Sequence, residues 1–139
     1  MENGSTTATR KIQMFMGVVF TGMGLATVVF PAAVANLSFT NDFLGKEGVT
    51  PALLLVMRCF GSQASLCGLL ILSSDFRIGT FRNFGLAMIP YFIFDYHFWQ
   101  TGALTVLGAS GDAVGNLIFS GCCYIGYNRL SNERNRNVS

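Results

Sequence analysis

From Ile12 to Asn36 the chain runs for 25 residues without a charge, and about 20 apolar residues already cross a bilayer as a helix. A chain of 139 residues amounts to one domain by length. Hydrophobic residues make up 51% and charged residues 12%, about half the charge of an ordinary soluble domain. The mean hydropathy is +0.48, and the apolar residues fall in long blocks. These features specify an integral membrane protein, all-α because helices satisfy their own backbone in lipid.

Four blocks are expected to form a four-transmembrane-helix bundle, with helices at about 12–36, 51–72, 81–107 and 110–128. Residues 1–11 form a polar N-terminus expected to be disordered, and 129–139 a basic polar tail. Between them lies a single membrane domain, 12–128. Pro51 suits the first turn of helix two. Ser38 to Gly48 is a polar loop with turn formers, and Ser73 to Thr80 a shorter one.

The end of helix three is open to two readings. One stops it at Gln100 and starts helix four at Gly102, which buries Asp112. The other continues it to Leu107, turns at Gly108 to Gly111, and uses Ser110 or Asp112 as the N-cap of helix four. The second is preferred because Ser and Asp are favoured N-caps and a carboxylate suits a helix N-terminus.

Four helices place both termini on one side. Arg10, Lys11, Arg77, Arg82, Arg129, Arg134 and Arg136 then share that side, and Lys46 stands alone opposite. Under the positive-inside rule the termini face the cytoplasm. A cleavable signal peptide competes for the first segment, since Ala33 to Ala35 gives A-x-A. Its apolar run to Phe30 is nevertheless longer than the usual 7–15-residue signal core. The triplets Asn36-Leu37-Ser38 and Asn137-Val138-Ser139 match glycosylation acceptors; the first abuts the membrane and the second lies on the inner side, so both are taken as chance.

The net charge of +2, and basic residues that are not grouped with aromatic ones on a polar surface, argue against nucleic acid. With one histidine no zinc spacing can be built, so no metal is expected, nor any cofactor. Cys59, Cys67, Cys122 and Cys123 all lie in apolar blocks, where buried cysteine acts as a small hydrophobe.

Arg58, Asp95, His97 and Asp112 fall within or beside the spans, where ionisable groups are costly and usually find a partner. By the helical rise Arg58 lies roughly 11 Å and Asp95 roughly 18 Å below the outer end, within reach of an Arg58–Asp95 structural pair. Asp95 shares a side of its helix with Phe84, Met88, Tyr91, Phe98 and Trp99, whereas His97 lies about 200° away. Arg58, Ser62 and Ser65 form one polar stripe; Asp112, Asn116 and Cys123 form another. The stripes are expected to converge in the outer half. Asp95, His97 and Arg58 are the candidate catalytic residues; Tyr91, Trp99, Ser62 and Asn116 are the candidate substrate-binding ones. The buried pair can equally fix helix register, bind a polar lipid headgroup or move protons, and His97 can be hydrogen-bonded between helices or sit at the outer interface. Pro90 deprives the Leu86 carbonyl of its donor and predicts a kink. Gly17, Gly22, Gly24 and Gly111-x3-Gly115 offer close-packing surfaces.

Arg58-Cys59-Phe60-Gly61-Ser62 and His97-Phe98, with a glycine-containing turn and a basic tail, resemble the ergosterol-biosynthesis scaffold family. Those are four-helix endoplasmic-reticulum proteins that tether sterol-modifying enzymes, marked by Arg-x-Phe-Gly-Thr at the start of helix two. The resemblance covers about Leu53 to Leu130. Gln63 stands where that family has tryptophan, and no acidic residue follows His97-Phe98 shortly. It implies an accessory or scaffold subunit for larger membrane proteins, a reading that small size and minimal loops also favour; besides the bilayer, the expected partners are other membrane proteins or a second copy in a homo-oligomer. No G-x-S-x-G, P-loop or H-E-x-x-H occurs. The alternative is a cofactor-free intramembrane enzyme or carrier for a lipophilic small molecule, such as a sterol or terpenoid, using Asp95, Arg58 and His97. The endoplasmic reticulum is expected if the source is eukaryotic, the plasma membrane otherwise.

Overall fold

The structure, a computed structural model, describes residues 7–136. These form seven helices: α1 Thr7–Val29, α2 Pro31–Ser38, α3 Asn41–Leu44, α4 Pro51–Ser73, α5 Ile78–Ala87, α6 Ile89–Gln100 and α7 Val106–Arg136. Of these α1, α4 and α7 are long and apolar enough to cross a membrane, which marks an integral membrane protein. Thr7 to Lys11 belong to α1 and are helical, contrary to the expected disorder; residues 1–6 lie outside the described residues. The basic segment from Arg129 to Arg136 continues α7 as helix, and the Asn137 triplet lies outside the described residues.

The helices follow one another in a row, α4, α1, α7 and then α5 with α6, folded so that Phe20 of α1 also meets Phe84 of α5 at 5.9 Å between ring centroids. α1 packs along α4 on one side and meets α7 on the other, and α5 and α6 pack on α7. α4 therefore stands at one edge, with no extensive contact to α5, α6 or α7. The α1–α4 seam is antiparallel and built on small residues. A Cβ at Gly24 would lie 2.4 Å from the Ser65 backbone nitrogen, and one at Gly68 would lie 2.4 Å from that of Thr21. Gly61 faces Gly24 and Thr27 in the same way, and Gly17 faces Leu72 and Gly68. Both helices thus carry glycine at seven-residue spacing, which keeps it on one face and lets the backbones touch. Gly22, Gly111 and Gly115 face open space, so the close-packing role expected of them is not theirs.

The last turn of α4 is closed by side chains from α1. Gln13, fully buried, donates to the Ile71 and Ser74 carbonyls and accepts from the Phe76 backbone nitrogen at 3.3 Å. Arg10, one turn earlier, donates to the Ser74 carbonyl at 2.7 Å and the Leu72 carbonyl at 3.0 Å, and pairs with Asp75 at 3.3 Å. A helix C-terminus leaves carbonyls without intrahelical donors, and a cation also suits its dipole. Beside this point the apolar core gathers Met16, Ile71, Phe76, Phe81, Phe119 and Cys123.

α5 and α6 are one rod broken at Met88, whose φ of −77° and ψ of −21° remain helical. Met88 N donates to Gly85 O and Tyr91 N to Met88 O, so the ladder tightens to three-residue steps around the break. This is the kink that Pro90 predicts, since proline cannot supply the donor for the Leu86 carbonyl.

The connection between α6 and α7 corrects the preferred boundary. α6 ends at Gln100, and Gly102 takes φ +75°. Gly102 N donates to Trp99 O and Ala103 N to Phe98 O, the paired bonds of a glycine-terminated helix. α7 then starts at Val106, with Thr105 Oγ1 accepting from Gly108 N at 2.9 Å. Asp112 is accordingly inside α7, two turns in, and caps nothing. The turn is tied to the end of α2: Thr105 N donates to Ser38 O, Thr40 N to Ala103 O, and Phe39 bridges Leu104. Thr40 and Thr50 cap α3 and α4, with Pro51 opening α4 as expected.

Candidate functional site

The α6 face turned to α7 carries Met88, partly buried Phe92 and Asp95, spaced by three and four residues. Asp95 is 5% exposed and Asn116 is 8% exposed. A polar group taken out of water is costly unless it is hydrogen-bonded, and here Asn116 Nδ2 donates to Asp95 Oδ2 at 3.2 Å. The same nitrogen lies 3.4 Å from Asp112 Oδ2, one turn earlier on α7. Because an amide carries two N–H donors, Asn116 can hold both carboxyl groups at once. Asp112 is exposed, so the cluster is buried at Asp95 and opens to the surface at Asp112. Carboxyl groups gathered at one donor can exchange a proton with a bound molecule or accept its donors.

The expected Arg58–Asp95 pair does not form. Arg58 lies on the exposed face of α4, and Asp95 lies on α6, across α1 and α7 in the row. Two intervening helices separate them laterally. Among the described residues the ion pair between side chains is Arg10–Asp75. The Arg58–Ser62–Ser65 stripe divides as well. Ser65 is buried on the α1 seam, while exposed Ser62 donates to the Arg58 backbone carbonyl at 2.9 Å.

The other candidates scatter too. His97 is exposed, on the face of α6 away from α7, with its ring set edge-on to neighbouring Phe98. No hydrogen bond links it to Asp95 among the described residues, in keeping with the 200° between them. Tyr91 and Trp99 are exposed at the margins of the Asp95 face. Of the four expected substrate-binding residues, Asn116 alone meets Asp95. The Asp112–Asn116–Cys123 stripe holds, with Phe119 between them in the core. Cys123 is buried, but Cys59 and Cys67 face outward on α4 and Cys122 is half-buried, so the expectation of four buried cysteines fails where α4 lacks a second neighbour.

What remains in the first third of α4 is a cation among apolar neighbours. Leu55, Val56 and Phe60, like Cys59, are exposed around Arg58, and among the described residues no carboxylate meets its guanidinium. No family model, curated protein or solved structure matches the chain.

Proposed function

We propose that this chain is a small multi-pass membrane protein serving as an accessory or scaffold subunit for larger membrane partners, docked on the outward face of α4. The observation that carries this reading is exposed Arg58. It lies roughly 10 Å below the start of α4 at 1.5 Å per residue, among side chains suited to lipid. An arginine costs ~2.5–3.5 kcal/mol at the bilayer centre on insertion scales and less toward the interface, which bounds the cost at this depth from above. A carboxylate or carbonyl on a partner helix would offset that cost, whereas lipid tails offer nothing to it. The likeness of Arg58-Cys59-Phe60-Gly61-Ser62 to the ergosterol scaffold motif agrees with a tethering role for the same stretch.

In this reading the α5–α6 rod, as long as α1, is the fourth span, and both termini face the cytoplasm. The clustering of Arg10, Arg77, Arg82, Arg134 and their neighbours at one end supports that orientation. The membrane is the endoplasmic reticulum in a eukaryote and the plasma membrane otherwise. Replacing Arg58 by leucine tests the docking face. Recovery of the partner from a gentle-detergent extract should fall at least about tenfold, the loss of roughly 1.4 kcal/mol, with the melting temperature unchanged or higher. A wild-type chain that brings down no reproducible membrane partner would sink the reading.

The Asp95–Asn116 contact supports a second reading, an intramembrane enzyme or carrier for a lipophilic substrate of sterol or terpenoid type. Arg58 and His97 have no place in it, so Asp95 and Asp112 would carry the protons. Asp95→Asn keeps the acceptor for Asn116 and should melt within ~1 kcal/mol of wild type. Turnover of a lipophilic substrate that disappears in this variant would establish the enzyme; turnover that persists removes Asp95 from it.

A further inference from the structure

At the inner end, two adjoining grooves lie between α5 and α7. One, of about 240 Å³, is walled by Phe81, Gly85, Leu86, Cys123 and Tyr124. The other, of about 690 Å³, is walled by Gly79, Ser131, Arg134 and Asn135. Arg82 and Tyr127 line both, so the two grooves border one another. Among the described residues no carboxylate lines either groove; Glu133, next to Arg134 in sequence, is absent from the wall. The Arg82 Nε donates to neighbouring Asn83 at 3.4 Å, and neither Arg82 nor Arg134 is in an ion pair among the described residues.

The order of chemistry along this channel is that of an amphiphile. Arg134, Ser131 and Asn135 stand where α7 leaves its apolar stretch; Arg82 and Tyr127 follow at the interface, where tyrosine is favoured. Leu86, Cys123 and Tyr124 then continue toward the bilayer centre. We infer that this channel binds one anionic phospholipid of the inner leaflet, its phosphate between Arg82 and Arg134 and an acyl chain along Leu86 and Tyr124. Two guanidiniums present forked donors that match phosphate oxygens. Basic pockets between spanning helices on the cytoplasmic side are suited to such headgroups. The wall exists because Gly79 leaves the mouth open and Gly85 brings α5 close to Cys123, where an added Cβ would lie 3.2 Å from the cysteine Cβ. Phe81, fully buried against Gly126, closes the floor.

The inference goes beyond the docking role of α4, and uses a different face. It is tested with the full chain carrying Trp99→Phe and Tyr124→Trp, which leaves one tryptophan in the channel. The chain is reconstituted in phosphatidylcholine vesicles containing brominated phosphatidylglycerol or brominated phosphatidylcholine. Quenching should show the anionic lipid preferred, with each of Arg82→Gln and Arg134→Gln lowering that preference about fivefold, as one basic residue near the surface contributes. Inorganic phosphate should not compete, because it lacks the chain. Equal quenching by the two lipids, or a preference unmoved by both substitutions, overturns the inference. Displacement by inorganic phosphate alone overturns the lipid and leaves a free-anion site. Circular dichroism of each variant in neutral detergent confirms the fold; should Tyr124→Trp not fold, native mass spectrometry of the wild-type chain and the two glutamine variants decides by retained anionic lipid. Failure of lipid selectivity leaves the Arg58 reading untouched, while release of the protein from membranes by alkaline carbonate would sink both.

Discussion

Gly24→Leu is expected to unfold the α1–α4 seam. A single added Cβ already falls 2.4 Å from the Ser65 nitrogen and 2.6 Å from the Gly61 carbonyl, both backbone atoms that no rotamer change can move. Overpacking against yielding side chains costs about 1–3 kcal/mol; against backbone the helices must separate, and the close contacts along Gly17, Thr21, Gly61 and Gly68 go with them. We expect a loss of about 3 kcal/mol or more, seen as a monodisperse detergent-solubilised protein turning into aggregate. Gly22→Leu is the matched control. Gly22 is on the same helix with nothing within 4 Å of its Cβ position, so that variant should behave as wild type within ~0.5 kcal/mol. If the two variants melt alike, the seam is not where the structure puts it.

Gln13→Leu has the second-largest expected effect. The side chain is nearly isosteric and apolar, so by hydropathy alone the change should be welcome in a membrane helix. The structure predicts the reverse. Gln13 supplies the donor for the buried Ile71 carbonyl and the acceptor for the buried Phe76 N–H, and each buried polar group left without a partner costs about 1–3 kcal/mol. A destabilisation of about 3 kcal/mol is expected, measured by thermal unfolding in detergent. Met14→Leu, on the exposed side of the same turn, should change little. Arg10 cannot take over, because its guanidinium, bonded to Ser74, Leu72 and Asp75, has no acceptor to offer the Phe76 N–H.

These two residues also show what the sequence exposes and what it hides. The charge-free blocks and the proline kink follow from hydropathy and backbone chemistry, which are local. Gly17 and Gly24 are recognisable as packing positions on one helix, but their counterparts Gly61 and Gly68 become so only when the seven-residue spacing is matched between helices. Gly111-x3-Gly115 has the better-known spacing and faces open space, because spacing does not say which side a neighbour takes. Gln13 hides among apolar residues; its signal is its position one turn after Arg10, ahead of a helix end sixty residues away.

The site was less legible than the fold. Placing Asp112 at a helix N-cap gave a cheap account of its charge, but Gly102 after Thr101 is the stronger terminator, since the closing residue needs positive φ. Thr105, three residues before Gly108, supplies the cap in its place. For Arg58 and Asp95, depth along the helix is read from residue counts, and it was compatible. Lateral order is not, and α1 and α7 stand between them. Asn116 on the neighbouring helix was recognised as part of a polar stripe, though not as the group that holds Asp95.

The proposed four-span arrangement with both termini inside underlies the proposed docking face and the proposed inner-leaflet channel alike. It is tested most directly by single cysteines at Lys46 and Asn135 in a chain whose native cysteines are replaced, labelled in sealed right-side-out vesicles by a membrane-impermeant maleimide. The account predicts label on the position-46 variant from outside and on the position-135 variant only after the vesicles are opened. Label on both from outside, or on neither until opening, would contradict it.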